Sequence, residues 1–233
     1  MIDVIDFGLK DYASVLDQQQ SLFNYLIKEK IEGNEGKEYL LIGEHFPVIT
    51  LGRRANENNI LLSQTLLQNK GIPVFHIGRG GDVTYHCPGQ LIVYPIIDLE
   101  KYGLGVKDYV FILEESVIKL LDKYHIKSGR VEGATGVWID GFSSKARKIC
   151  AIGVKCSRFC TMHGLALNVN ADLSGFSMIN PCGFQDKGVT SLKLEKNRIL
   201  GDETLDNFNQ TQISMEKVKK EFLDIFFSLI FPL

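Results

Sequence analysis

The sequence predicts an α+β fold, an α/β protein whose mixed, mostly antiparallel sheet is flanked by helices. Three observations lead there. Short β-rich segments gather between residues 38 and 99 and again between 135 and 170; two strongly amphipathic helical stretches stand apart from them; and the regular strand–helix alternation of a parallel winding is missing. Of the 233 residues 45% are hydrophobic and 23% charged, enough for a substantial core. With no internal repeat, low-complexity tract or long linker, one domain spanning 1–233 is expected.

The elements follow in order. Tyr12, Val15, Leu16, Leu22, Phe23 and Leu26 recur with helical spacing and predict a helix over 10–31, stopped near Gly33. "EYLLIGEH" and "PVITLG" read as strands broken at Phe46–Pro47, because proline cannot donate to a ladder. A short helix around 63–70 and strands "PVFHIG", "DVTYH" and "QLIVYPIIDL" come next. Val110, Leu113, Val117, Leu120, Leu121 and Tyr124 mark a second helix, 107–125. "TGVWID", "KICAIGVKC" and "GLALNVN", joined by short polar connections, read as an antiparallel set. Ser214 is a good N-cap for a last helix with Glu216 in its first turn and Val218, Phe222, Ile225 and Leu229 on its apolar face.

Composition excludes several classes. A net charge of -2 argues against bulk nucleic-acid binding. The longest apolar run, "FLDIFFSLIF", carries Asp224 and is too short to span a bilayer. The opening "MIDVIDFGLKDYA" has two early acids and no basic region of an export signal, and an odd count of five cysteines suits reduced thiols. A cytoplasmic protein with neither nucleic-acid nor membrane partners is expected.

Four stretches carry potential chemistry. In "SMINPCGF" Cys182 stands between Pro181, which stiffens the backbone, and Gly183, which lets a bulky group approach, so a turn presenting a thiol is expected. "GRGGDVTYHCPGQ" fits neither GxxxxGK[ST] nor GxGxxG. Its glycines serve either a plain β-turn or a nest of inward N–H groups for a polarised carbonyl, with Arg79 and His86 beside it. "KARKICAIGVKCSR" is basic without an acid; it reads as a solvated hairpin, except that Lys148 opens an apolar strand, where an ammonium wants an anionic partner such as a thiolate. "TMHGLALNVN" offers His163, a hydrogen-bonding residue or a base. Cys156, Cys160, His163 and Cys182 lack the spacing of a zinc knuckle, and no metal is expected.

Together and in this order, "RGGDVTYHCPGQ", "GVWID", "RKICAIGVK", "MHGLALNV" and "NPCG" resemble the octanoyl-ACP:protein octanoyltransferases, the lipoate–protein ligase B family, over roughly residues 40–190. The resemblance implies the catalytic-domain fold shared with lipoate and biotin protein ligases and an acyltransferase of lipoate biosynthesis. It implies transfer of an octanoyl group from acyl carrier protein, through a cysteine thioester, to a lysine of lipoyl domains. The acceptors implied are the E2 subunits of 2-oxoacid dehydrogenases and the glycine cleavage H protein; no cofactor is implied. Carried over residue by residue, the nucleophile is Cys182 and the lysine that lowers its pKa is Lys148. The acyl site is Arg79, Gly80, Gly81, Asp82, Val83, Thr84, Tyr85 and His86, with Ala151, Ile152, Gly153, Gly164, Leu165 and Ala166, and His163 in support.

The chemistry is consistent with this set. A thiol of pKa about 8.5 is only a few per cent ionised at neutral pH, and a neighbouring ammonium raises that fraction. Thioester exchange followed by amide formation needs no ATP, in keeping with the missing phosphate loop. Backbone N–H groups near "RGG" or at Cys182 are expected to hold the oxyanion. The chain departs from the family at "HCPGQ", where Cys87 stands in the usual place of a glycine; reverting it is expected to leave transfer intact or to help. An ATP-dependent ligase of the same superfamily and a non-catalytic lipoyl-domain binder are the alternatives.

Overall fold

The computed structural model describes residues 1–180, 188–201 and 212–231. In chain order the elements are β1 (Ile2–Lys10), α1 (Tyr12–Ile31), β2 (Glu38–His45), β3 (Val48–Leu51), α2 (Gln64–Asn69), β4 (Val74–His76), β5 (Val83–His86) and β6 (Gln90–Ile96). These are followed by α3 (Val106–Lys123), β7 (Gly129–Val131), β8 (Ala134–Ile139), β9 (Arg147–Ser157), β10 (Cys160–Asn168), β11 (Gly188–Val189), α4 (Leu192–Ile199) and α5 (Met215–Ile230). The main sheet runs β1-β2-β6-β10-β9-β8-β7, with β11 paired to the start of β9. It is antiparallel throughout except for β1 with β2 and β11 with β9, so the mixed, mostly antiparallel sheet read from the sequence is the one observed. A second sheet, β4-β3-β5, is parallel on one side of β3 and antiparallel on the other.

Alternation along the central strands divides the interior. Leu40, Ile42, Leu91, Val93, Leu165 and Leu167 face a core shared with α3 and α5, whereas Leu41, Ile92, Tyr94, Ile96 and Ala166 face a core built on α1. Both faces of these strands are buried, which is why they read as unbroken apolar runs. The small sheet has its own core, in which Ile49, Leu51, Val83 and Tyr85 pack with Met178 and Ile179. The helices start where capping chemistry allows: the Asp11 carboxylate accepts the Ser14 N–H (2.8 Å) ahead of α1, and the Ser214 hydroxyl accepts the Lys217 N–H (3.3 Å) ahead of α5. α1 ends just before Gly33, at φ +76°.

Cys87 has no positive φ and is buried in the core of the small sheet, its Sγ donating to Asp172 O at 3.6 Å. The backbone at 87 therefore has no need of a glycine's conformational freedom, and Cys87→Gly removes a packed side chain and loosens the backbone. We expect it to lower the urea midpoint by an amount equivalent to roughly 1–3 kcal/mol while leaving turnover of the folded fraction unchanged. A midpoint equal to or above wild type would show that the thiol contributes nothing to packing.

Candidate active site

A cavity of about 520 Å³ opens between the two sheets. Its floor is the face of the main sheet where side chains are small: Ala151 and Gly153 on β9 lie beside Ala166 and Gly164 on β10, as Cα partners across the ladder. One wall comes from the loop before β5 and from β5 itself, with Arg79, Gly80, Gly81, Asp82, Val83, Thr84 and His86. Tyr12 of α1, Tyr94 of β6, His163, and Lys148 with Thr135 and Trp138 also line it. Ile152 and Leu165 also border it while packing against the helical core. Gly153 is required by close approach, since a Cβ there would lie 2.7 Å from Gly80 O.

Lys148 reaches this cavity because β9 carries a bulge. Val137 pairs with Cys150 but Trp138 pairs with Lys148, so Ile149 is skipped in the ladder. In an unbroken strand residues 148 and 151 would point to opposite faces; the bulge sends Ile149 and Cys150 both into the helical core and returns Lys148 to the face of Ala151 and Gly153. Its Nζ donates to Thr135 O (3.1 Å) and stands 4.7 Å from the centre of the Trp138 ring. On the open side Val189 of β11 is its Cα partner, and Thr190 N–H donates to Lys148 O at 3.0 Å.

Of the expected site, Cys182 lies outside the described residues. Among the four described cysteines none is set up as a thiolate: burial raises Cys156, pushes Cys160 up to about 11 and Cys87 up to about 12, and drives Cys150 higher still. Tyr85 is a correction to the acyl-site set. β5 alternates, so Thr84 and His86 face the cavity and Tyr85 turns to the small sheet's core, edge-on to Phe176 with ring centres 5.6 Å apart.

The glycine loop is braced on both sides. Gly80 N–H is committed to Val154 O (2.9 Å), and the carbonyls of Arg79, Gly81 and Asp82 accept from Arg53, Arg54 and Gly52. Asp82 is a brace: its oxygens accept from Val83 N (2.7 Å), Asn56 N (3.2 Å) and Asn59 Nδ2 (2.6 Å). The basic run divides as well. Arg147 is bound to Glu195 (2.5 Å) and Asp140 (2.6 Å), a link holding α4 to β9, whereas Lys145, Arg158, Arg53 and Arg54 are exposed.

Two neutral imidazoles, His86 and His163, line the far wall, and a third, His45, packs behind His86 with ring centres 6.1 Å apart. His45 donates through Nδ1 to Lys10 O (3.1 Å), so its Nε2 accepts the Tyr94 hydroxyl (3.0 Å). Gln90 Nε2 donates to Tyr85 O, which turns Oε1 to accept from His86 Nδ1 at 3.1 Å. His163 holds φ +59° inside β10, its N–H donating to Gln19 Oε1 (3.1 Å), while its buried Nδ1 has no hydrogen-bond partner among the described residues. Burial first, then nearby positive charge, holds His86 and His163 at about 3; burial holds His45 at about 4. Arg79, itself buried, anchors the group by donating to Thr50 O (2.7 Å) and Oγ1 (3.0 Å). An apolar floor, neutral imidazoles beside a hydrogen-bonded Arg79, and a lysine at one end suit an uncharged chain carrying a reactive carbonyl.

Sequence reasoning placed Tyr12 on a helix core face and Tyr94 inside a strand, and missed both as lining. It also missed Thr135 and Trp138, although the three-residue spacing of Lys148 and Ala151 within one strand signals a bulge.

The sequence matches the lipoyl protein ligase A/B catalytic domain over residues 11–227. The chain belongs to that family. It is 52% identical over 193 residues to the octanoyltransferase of Bacteroides fragilis (strain YCH46), covering 83% of this chain and 87% of the relative. The octanoyltransferase of Christiangramia forsetii is 44% identical over 231 residues, 97% of this chain and 95% of the relative. Among solved structures, lipoate-protein ligase A bound with ATP superposes with a TM-score of 0.64 at 12% identity, covering 98% of this chain and 85% of that one. A bi-partite lipoate protein ligase from Thermoplasma acidophilum gives 0.62 at 14%, covering 99% and 84%. At such identities these neighbours speak for the family fold alone.

Proposed function

We propose that the protein is an octanoyltransferase: it takes an octanoyl group from octanoyl-acyl carrier protein onto Cys182 and passes it to a lysine of a lipoyl domain. The observation that carries this reading is the identity of about half with octanoyltransferases across more than four-fifths of the chain. The placement of Lys148 supports it. The ammonium stabilises the thiolate of Cys182, which attacks the donor's thioester carbonyl; Lys148 gives its proton to the departing carrier sulfur, which leaves as a thiol, so that a new thioester stands on Cys182 beside a neutral Lys148 amine. The acceptor amine then attacks that carbonyl, Lys148 takes the amine's proton as general base, and the Cys182 thiolate departs as the amide forms. The octanoyl chain lies along the small-residue floor, with Arg79, Thr84, His86 and His163 at its sides. E2 subunits and the glycine cleavage H protein are the acceptors, in the cytoplasm.

Incubation with octanoyl-acyl carrier protein and a lipoyl domain, with no nucleotide present, is expected to give octanoyl-lysine. Product only from free octanoate plus ATP would replace the transferase with a ligase. Carrier docking is expected to use exposed Arg53, Arg54, Lys145 and Arg158, so added salt raises KM for the acidic donor. Arg147→Ala is expected instead to lower stability, because Glu195 loses its partner. A salt-independent KM would remove the electrostatic docking.

A further inference from the structure

Glu114 lies on α3, one turn beyond Val110 at the cavity edge, and only 8% of it is exposed. Its two oxygens take different donors: Oε1 accepts the Gly136 N–H at 3.0 Å and Oε2 accepts Arg130 Nε at 2.9 Å. Arg130 is clamped in turn, donating to Phe111 O (3.0 Å) and Glu115 (2.9 Å) with its guanidinium 3.7 Å from the Phe111 ring centre. The buried carboxylate is thus neutralised, as a buried charge requires.

The Gly136 N–H belongs to the same peptide group as the Thr135 carbonyl, and that carbonyl accepts Lys148 Nζ. One peptide unit therefore carries a carboxylate at its N–H and an ammonium at its C=O. In that alignment each charge polarises the peptide toward the other and strengthens both bonds. Glycine is needed at 136 because φ is +121° and a Cβ would lie 2.4 Å from Cys150 O and 3.5 Å from Lys148 Cε.

We propose that Glu114 is a positioning residue for Lys148: holding the N–H of the Thr135–Gly136 peptide, it keeps that peptide's carbonyl turned to the ammonium and so keeps the ammonium at the cavity wall. The part that concerns transfer rests on the function proposed above; the geometry does not. Two readouts separate them. Reductive methylation by formaldehyde and borohydride, read by peptide mass spectrometry, reports the accessibility of Lys148 against exposed Lys145. Octanoyl transfer reports kcat and KM.

Glu114→Ala is expected to raise methylation of Lys148 relative to Lys145 about fivefold or more, as the lost hydrogen bond frees the amine. It is expected to lower kcat about tenfold or more, with KM for the donor within about twofold. Glu114→Gln, whose amide oxygen still accepts the Gly136 N–H, stays close to wild type in methylation. Should the alanine variant fail to fold, Glu114→Asp, one methylene too short to reach, is expected to move both readouts in the alanine direction. A folded Ala or Asp variant with unchanged Lys148 methylation overturns the proposal, whatever its kcat. A methylation change in a protein that transfers no octanoyl group, wild type included, upholds the positioning role and sinks the function.

Discussion

Lys148→Ala is expected to slow octanoyl transfer by about 10²- to 10⁴-fold, the range of a lost acid–base group. Stability should hardly change, because Lys148 is partly exposed and its stacking on Trp138 contributes about 0.5–1 kcal/mol at such a site. The discriminating readout is the pH dependence of Cys182 alkylation. With the ammonium gone, the reactive pKa is expected to rise toward the ordinary thiol value of about 8.5, so the loss in rate is greatest at neutral pH and shrinks as pH rises. The other cysteines do not confound the measurement, since burial raises the pKa of each described thiol. An unchanged reactive pKa in the variant would remove Lys148 as activator.

The second large effect is on acid stability. His45, His86 and His163 are held at about 4, 3 and 3 in the folded protein, against about 6.5 when unfolded. Depressed folded values mean that the stabilisation is complete above pH 6.5 and is lost as pH falls toward 3–4, because the unfolded chain binds protons that the native state refuses. Each extra proton costs about 1.4 kcal/mol per pH unit. Three imidazoles therefore remove on the order of 5 kcal/mol between pH 7.5 and pH 5, a large part of the stability of a typical domain. Urea unfolding at the two pH values measures this directly. His45→Gln is expected to reduce the slope by about a third, whatever it does to absolute stability. Equal unfolding free energies at pH 7.5 and 5 would mean that the imidazoles are hydrated in the folded state.

Periodicity and caps made much of the fold legible. The α1, α3 and α5 helices lie within a few residues of their expected ranges, and Ser214 caps the last as its side chain requires. β1 escaped because it is an edge strand with only Ile2 and Phe7 buried, so it shows no alternation. At the site, the acyl-site residues named from the ordered blocks, Tyr85 apart, line one cavity, but a contiguous block cannot show that neighbours in a strand face opposite ways. Tyr85 was included for that reason, and alternation alone would have set it aside. Arg147 read as part of a solvated basic hairpin because its partners, Asp140 and Glu195, are remote or unremarkable in sequence. The histidines were visible as residues but not as neutral ones, since their pKa values depend on burial that no local pattern records. Glu114 was hidden for the same reason: its function runs through a peptide group 22 positions away.

The central claim is a covalent acyl-enzyme on Cys182. Its most direct measurement is intact mass after incubation with octanoyl-acyl carrier protein and no acceptor, followed by peptide mapping. The expected result is a gain of one octanoyl group on Cys182, absent from Cys182→Ser, which is close to isosteric and should fold while losing transfer, and discharged when a lipoyl domain is added. An octanoyl group mapped to Cys87, or transfer that survives in Cys182→Ser without any acyl-enzyme, would contradict the account.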